Sequence, residues 1–159
     1  MPYTPGEKNS ELQVKELQRL QAEYQVKVVP VILNNKEEVD QVLSGVVQSV
    51  DAIVLTGSSV VGATVPLIVD LAKKSKAITI THLDDLVEKG ALLGVCANSY
   101  RLGRMAGKQA VKVLKGAKPS SIPIAIENKP DIILNKRTAT AGQFRIPSAF
   151  MKSVTKVIE

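Results

Sequence analysis

Four polar clusters follow apolar runs in this chain: Thr4–Ser10, Thr56–Ser59, His82–Asp85 and Asn98–Tyr100. His82 is the only histidine, and beside Asp84 and Asp85 it could serve as a general base. No nucleophile stands in a G-x-S-x-G elbow, so no catalytic residue is assigned. A metal site needs three or four converging ligands, and a single histidine with two aspartates does not supply them. Thr56-Gly57-Ser58-Ser59 lacks the trailing lysine and hydroxyl of a phosphate loop, and no G-x-G-x-x-G follows a strand. No metal or cofactor is therefore implied. Hydroxyls, amides and two carboxylates suit instead a small zwitterion or polyol. The candidate ligand contacts are Glu7, Asn9, Thr56, Ser58, Ser59, His82, Asp84, Asp85, Asn98 and Tyr100. For several the plainer alternative is a helix N-cap: Asn9, Ser10, Asn34 and Ser99 fit a cap, and Thr56, Ser58 and Ser59 fit either role. Tyr100, opening a helix, is either a flat wall for a ligand or a core residue.

These clusters need elements to position them, and the hydropathy pattern supplies a repeat. Ser10 and Gln13 have capping-box spacing, with Asn9 a rival cap. Leu12, Leu17, Leu20 and Tyr24 then form one helical face. Val26–Leu33 reads as a strand, and Pro30 suggests an edge position. A helix capped by Asn34 or Asn35 follows, with Val39, Val42, Leu43, Val46 and Val47 on its buried face. Ala52–Ser59 is a short apolar strand running into a small polar loop, and 61–74 is a helix, with Pro66 near its first turns. Ala77–Thr81 is a strand, Leu86–Lys89 a short helix closed by Gly90, and Leu92–Ala97 a strand. A helix capped by Asn98 or Ser99 runs to about Leu114 and is ended by Gly116 and Pro119. Strand–helix alternation implies right-handed crossovers and an α/β fold with a doubly wound parallel sheet. In such a sheet, ligands bind beyond the carboxyl ends of the strands, where the clusters lie. The alternation stops near residue 116. Ile122–Glu127 and Asp131–Asn135 read as strands and Pro147–Ile158 as a helix. The expected division is a lobe over 1–116 and a C-terminal β/α appendage over 117–159.

Composition agrees. With 45% hydrophobic and 3% aromatic residues, Val, Ile, Leu and Ala must build the core, as in parallel strands buried on both faces. The net charge of +6 raises nucleic acid as a partner, but the lysines are scattered and no basic run alternates with aromatics. A solvated face explains them, and no nucleic-acid partner is expected. Cys96, the single cysteine, reads as a small apolar strand residue. No segment is apolar for the 18 or so residues a membrane span requires, and no signal peptide opens the chain.

Several runs together resemble one family. Tyr3-Thr4-Pro5-Gly6-Glu7-Lys8-Asn9-Ser10 resembles the Y-N-P-G-E-x-N-S turn of ABC-transporter substrate-binding proteins of the tryptophan/tyrosine-binding type. Val50-Asp51-Ala52-Ile53 is similar to their V-D-A-I. Lys89-Gly90-Ala91-Leu92 and Tyr100-Arg101-Leu102-Gly103-Arg104 resemble K-G-A-L and Y-x-L-G-R. Leu114-Lys115-Gly116, Ile122-Pro123, Asn135 with Thr138-Ala139, and Ile146-Pro147 match in the tail.

The resemblance covers essentially the whole chain and implies a Rossmann-like lobe of a periplasmic-binding-protein-like fold. Two such lobes close on a ligand, here expected to be an amino acid, and deliver it to a transporter permease. It implies binding without turnover, and a periplasmic or extracellular location. The chain matches only the second half of the family pattern, so a fragment or a halved relative is expected. Unpaired edges and the wall that would face a first lobe then favour self-association, as a dimer with swapped tails. Where the family often has P-T-D-N, this chain has Thr56-Gly57-Ser58-Ser59, so Ser58 replaces an aspartate. The carboxylate for a ligand ammonium then falls to Asp84 or Asp85. Rival readings are a single-lobe sensory or effector-binding domain of a signalling system and, behind it, a hydrolase-like enzyme using His82 and Asp85.

Overall fold

A computed structural model describes residues Met1–Glu159. Seven strands and eight helices alternate along most of it. Strand β1 (Pro2–Tyr3) leads to α1 (Lys8–Arg19) and a short α2 (Gln21–Tyr24); β2 (Val31–Ile32) leads to α3 (Val39–Ser44). β3 (Ala52–Leu55), α4 (Ser59–Ser75), β4 (Ile78–Thr81), α5 (Asp84–Glu88), β5 (Leu93–Cys96) and α6 (Ser99–Leu114) follow. β6 (Asp131–Asn135), α7 (Lys136–Ala141), α8 (Ser148–Met151) and β7 (Lys156–Ile158) close the chain.

The sheet is mostly parallel, in the order β3-β4-β5-β6-β7. β3 and β4 pair in parallel from Ala52 opposite Ile78 to Leu55 opposite Thr81. β1 and β2 form a parallel pair, and β1 packs beside β3. The Thr56 hydroxyl fastens that junction by donating to the Pro2 carbonyl at 2.8 Å. One strand departs from the expected all-parallel arrangement: β6 runs antiparallel to β5, pairing Leu93 with Leu134 and Cys96 with Asp131. The connection between them contains α6, but that helix buries none of its residues and does not pack on the sheet as a parallel crossover would.

Helix α4 holds the core together. Val61, Val65 and Ile68 are fully buried, with Val60, Val69 and Leu71 beside them, against Leu55, Leu86, the α3 face of Val39 and Leu43, and Val47 in the 3-10 turn after it. Each such side chain contributes on the order of 1.5–3 kcal/mol of burial. Ser58 caps the helix, accepting from Val61 N at 3.4 Å. Pro66 lies inside α4, deeper than expected. Lacking an N–H, it leaves the Gly62 carbonyl free, and the Lys89 ammonium approaches that oxygen to 3.5 Å. Gly94 permits the close layering of β5, since a Cβ there would lie 2.6 Å from Val87 Cγ2 and 2.8 Å from Cys96 Sγ. Cys96 is 2% exposed and unpaired. Burial, then the carboxylates of Asp84 and Asp131, push its thiol up to about 11.

Several local expectations are corrected. The buried face of α1 is Ser10 and Val14, while Leu12 and Tyr24 are exposed, because no element covers that side. Helix α1 begins at Lys8 with Glu7 at its N-cap position; neither Asn9 nor Ser10 caps it. The Ser10 hydroxyl instead donates toward the Thr4 and Glu7 carbonyls at 3.2 and 3.0 Å. Of Val26–Leu33 only Val31–Ile32 pairs as a strand. Glu38 stands at the N-cap of α3, and Asn35 accepts its N–H at 3.1 Å. Ile122–Glu127 is extended but has no strand partner, and Ile124 is 91% exposed. The stretch expected as a helix over Pro147–Ile158 breaks after α8. Thr155 then bonds Ile132 through N–H and hydroxyl, which registers Lys156–Ile158 beside β6 as β7. Helix α7 was not expected; Asn135 caps it by accepting from Thr138 N at 2.9 Å and also donates to the Val87 carbonyl at 2.8 Å.

Candidate functional site

The carboxyl ends of β1, β3 and β4 lie side by side, and three of the four polar clusters meet there through hydrogen bonds, while Asn98–Tyr100 bonds to none of them. The Glu7 carboxylate accepts from Ser59 N at 3.0 and 3.2 Å and from the Ser59 hydroxyl. It therefore sits on the first turn of α4, where free N–H groups and the helix dipole favour negative charge. Asn9 donates to the Gly57 carbonyl at 2.7 Å. Gln13, one turn further along α1, accepts from Gly57 N at 2.9 Å and reaches His82 Nε2 at 3.1 Å. Gly57 is thus clasped on both sides of its peptide, and a Cβ there would stand 3.0 Å from the Asn9 amide nitrogen.

The candidates divide by exposure. Thr56 and Ser58 are buried at 1% and 3%. The Thr56 hydroxyl is taken by Pro2 and that of Ser58 lies 2.6 Å from the Thr4 hydroxyl, so both side chains face into the fold. Asn9, Ser59, His82, Asp84, Asp85 and Tyr100 are exposed, and Glu7 and Asn98 partly so. Asp85 pairs with Lys89 at 3.2 Å. Asp84 has no cationic partner and accepts only the Asp85 N–H, at 3.0 Å. Burial lowers the pKa of His82 below its usual 6.5. Tyr100 is 74% exposed and stands in the first turn of α6, next to its Asn98 cap, which accepts from Arg101 N at 2.9 Å.

Two residues that matter here were not candidates. Gln13 had been given only a capping role, although its spacing of four from Asn9 places both on one helical face. Arg101 was merely the variable position of Y-x-L-G-R. It donates to Glu127 Oε2 at 2.9 Å, Asp131 Oδ1 at 3.1 Å and the Lys129 carbonyl at 2.5 Å. The Lys129 N–H and then Arg101 hold the Glu127 carboxyl below its ordinary range, and Asn98 with Arg101 does the same for Asp131.

The arrangement is a polar, open wall at strand ends, with helix N-termini behind it and no assembled nucleophile. The sequence profile of the ABC transporter substrate binding protein family matches residues 1–158. The chain belongs to this family. A tyrosine-binding protein from Clostridioides difficile is 29% identical over 140 residues, which is 87% of this chain and 40% of that protein. The ligand-free, open structure of a substrate-binding protein with adhesive properties from Clostridium difficile superimposes with a TM-score of 0.86 at 30% identity. It takes in 99% of this chain and 52% of that one. A Streptococcus pneumonia structure described as an ABC domain in complex with L-Trp gives a TM-score of 0.79 at 27% identity, covering 99% and 55%. The chain therefore spans about half the length of the relatives it matches. The family is one of solute-binding proteins. No helix is long and apolar enough to cross a membrane.

Proposed function

We propose that this chain is one ligand-binding lobe of an ABC-transporter substrate-binding protein, and that its strand-end wall receives a small zwitterion, an amino acid. The observation that carries the reading is the convergence of Glu7, Asn9, Ser59 and His82 on one exposed edge, tied together through Gly57 and Gln13, with Asp84 two residues beyond His82. The relatives named for tyrosine binding and for an L-Trp complex support an amino acid, especially an aromatic one. Asp84, free of ion pairs, takes the ligand ammonium, with His82, Ser59 and Asn98 beside it. Tyr100 forms a flat wall. Thr56 and Ser58 set the loop from within, and Asp85 is the alternative carboxylate.

A ligand that touches two lobes favours the closed form because it contacts both only there. In this reading the expected division at residue 116 gives way, because β6 and β7 belong to the sheet of the lobe while α6 leaves it, and the permease is a partner of the complete receptor outside the cytoplasm. The lobe by itself pairs with a second copy through its uncovered apolar surface. The test is titration calorimetry with L-tyrosine and L-tryptophan. If a micromolar affinity of about −8 kcal/mol divides evenly between lobes, this one binds at about millimolar. Asp84→Asn and His82→Ala should each weaken that binding severalfold, Asp84→Asn without shifting the melting midpoint. Equal binding by parent and both variants would reject the assignment.

A further inference from the structure

The positive charge of this chain is not spread evenly over it. No acidic residue stands between Glu88 and Glu127, and residues 99–127 hold six cations against the single carboxylate of Glu127. That is a surplus of five in a chain whose net charge is +6. Cations that look scattered along the sequence are gathered by helix α6 (Ser99–Leu114). Arg104, Lys108, Lys112 and Lys115 follow one another at steps of four, four and three residues. At 3.6 residues per turn they fall within about 80° of each other around the axis, in a straight row about 16 Å long. Lys118 continues it past the helix.

All five are exposed, and none has a carboxylate within ion-pair distance. Arg101 lies on the same side, but its guanidinium is taken up by Glu127, Asp131 and the Lys129 carbonyl. The helix dipole favours cations only in the last turn, which accounts for Lys112 and Lys115 and leaves Arg104 and Lys108 unexplained. Leu102, Ala106 and Val113 lie on another side of α6 by the same spacing, so the row stays in water whatever covers them.

The chemistry of the row selects its partner. Four of the five free cations are lysines, flexible point charges that add up by number rather than by geometry, whereas a carboxylate on a protein partner is met by the planar fork of arginine. The row lies on a convex helix and encloses no anion. Single-stranded nucleic acid would call for aromatic platforms, and Tyr100, at the start of the helix, is the only aromatic residue of 99–127. A plane of anionic headgroups needs neither fork nor pocket. We infer that the row from Arg104 to Lys118 is a docking surface for an anionic phospholipid membrane, on which α6 lies without crossing it. The inference is independent of which ligand the strand ends take.

The test is flotation of the full chain with lipid vesicles. Vesicles of equal parts phosphatidylcholine and phosphatidylglycerol should carry the chain at about 0.05 M salt and release it at about 0.5 M, where screening shortens the reach of each charge. Vesicles of phosphatidylcholine alone should not carry it. Each basic residue near an anionic surface strengthens binding about fivefold, so Lys108→Gln with Lys112→Gln should weaken it about 25-fold. Lys15→Gln with Lys27→Gln removes two exposed lysines of the body and lowers the net charge equally. It should leave binding close to the parent's. Far-ultraviolet spectra of both double variants should match the parent's, since all four side chains are exposed. Equal uptake by neutral vesicles, an equal loss in the two double variants, or no uptake by anionic vesicles at low salt would overturn the inference. So would a chain that holds duplex DNA and leaves the anionic vesicles untouched.

Discussion

At the carboxyl end of β4 the ring of His82 meets the side-chain amide of Gln13. The amide oxygen of Gln13 already accepts the Gly57 N–H at 2.9 Å, so its nitrogen is the donor to His82 Nε2. His82 is then neutral with its proton on Nδ1, because a protonated ring has no lone pair to accept with. Burial lowers its pKa from 6.5 in the same direction. The unfolded chain takes up this proton first, so the stability that rests on neutral His82 is complete above about pH 6.5 and is lost as pH falls below it. The melting midpoint should drop between pH 7 and pH 5 more in the parent than in His82→Gln, and nitrogen NMR of the ring should show the Nδ1–H tautomer at pH 7. An equal drop in both proteins would remove His82 from the account. That polar residues gather after strands was legible in the sequence. Which of them face water was not: Thr56 and Ser58 are turned inward by bonds to Pro2 and Thr4, out of phase with the buried Ile53 and Leu55 of the preceding strand, and a short loop does not announce its direction.

At the scale of elements, α4 carries the packing. Ile68 is fully buried at its centre against the sheet and the α3 face. Ile68→Ala should cost about 2–5 kcal/mol through lost burial and the cavity left behind, measured by urea unfolding. A loss well under 1 kcal/mol would mean that this helix is not the support of the site. The strands at 52–55, 78–81 and 93–96, with α4 and α6, were legible because β-branched runs, Asn and Ser caps and terminating glycines agreed there. Helix α1 shows the limit of periodicity. It has more than one apolar stripe, and only contact with the rest of the fold selects Val14 over Leu12. Ile122–Glu127 shows another limit, since alternation reveals a segment fit for pairing while a strand forms only against a neighbour. The tail misled because Lys156–Ile158 becomes a strand through Thr155 and Ile132, a contact distant in sequence.

At the scale of the whole molecule, a compact α/β body carries an uncovered arm, residues 99–127, made of α6 and the segment after it. Leu114 at 85%, Ile124 at 91% and Ile126 at 70% exposure are a liability in water. Arg104, Lys108, Lys112 and Lys115 follow one side of α6 by helical spacing, and Leu102, Ala106 and Val113 the other. Two copies can therefore face their apolar sides inward and keep the cations solvated. Light scattering at high protein concentration should give twice the 17.1 kDa of the chain, reverting to the single mass in Ile124→Asp. A single mass throughout would contradict self-pairing. The central claim concerns the proposed half-site, which lies at the root of α6, where the strand ends meet. Its most direct measurement is an amide NMR titration of the full chain with L-tyrosine and L-tryptophan. Chemical-shift changes should cluster at 57–59, 82–85 and 98–100, saturating at about millimolar ligand, with the arm tip at 115–125 unaffected. Changes confined to the arm, or none at tens of millimolar, would contradict the account.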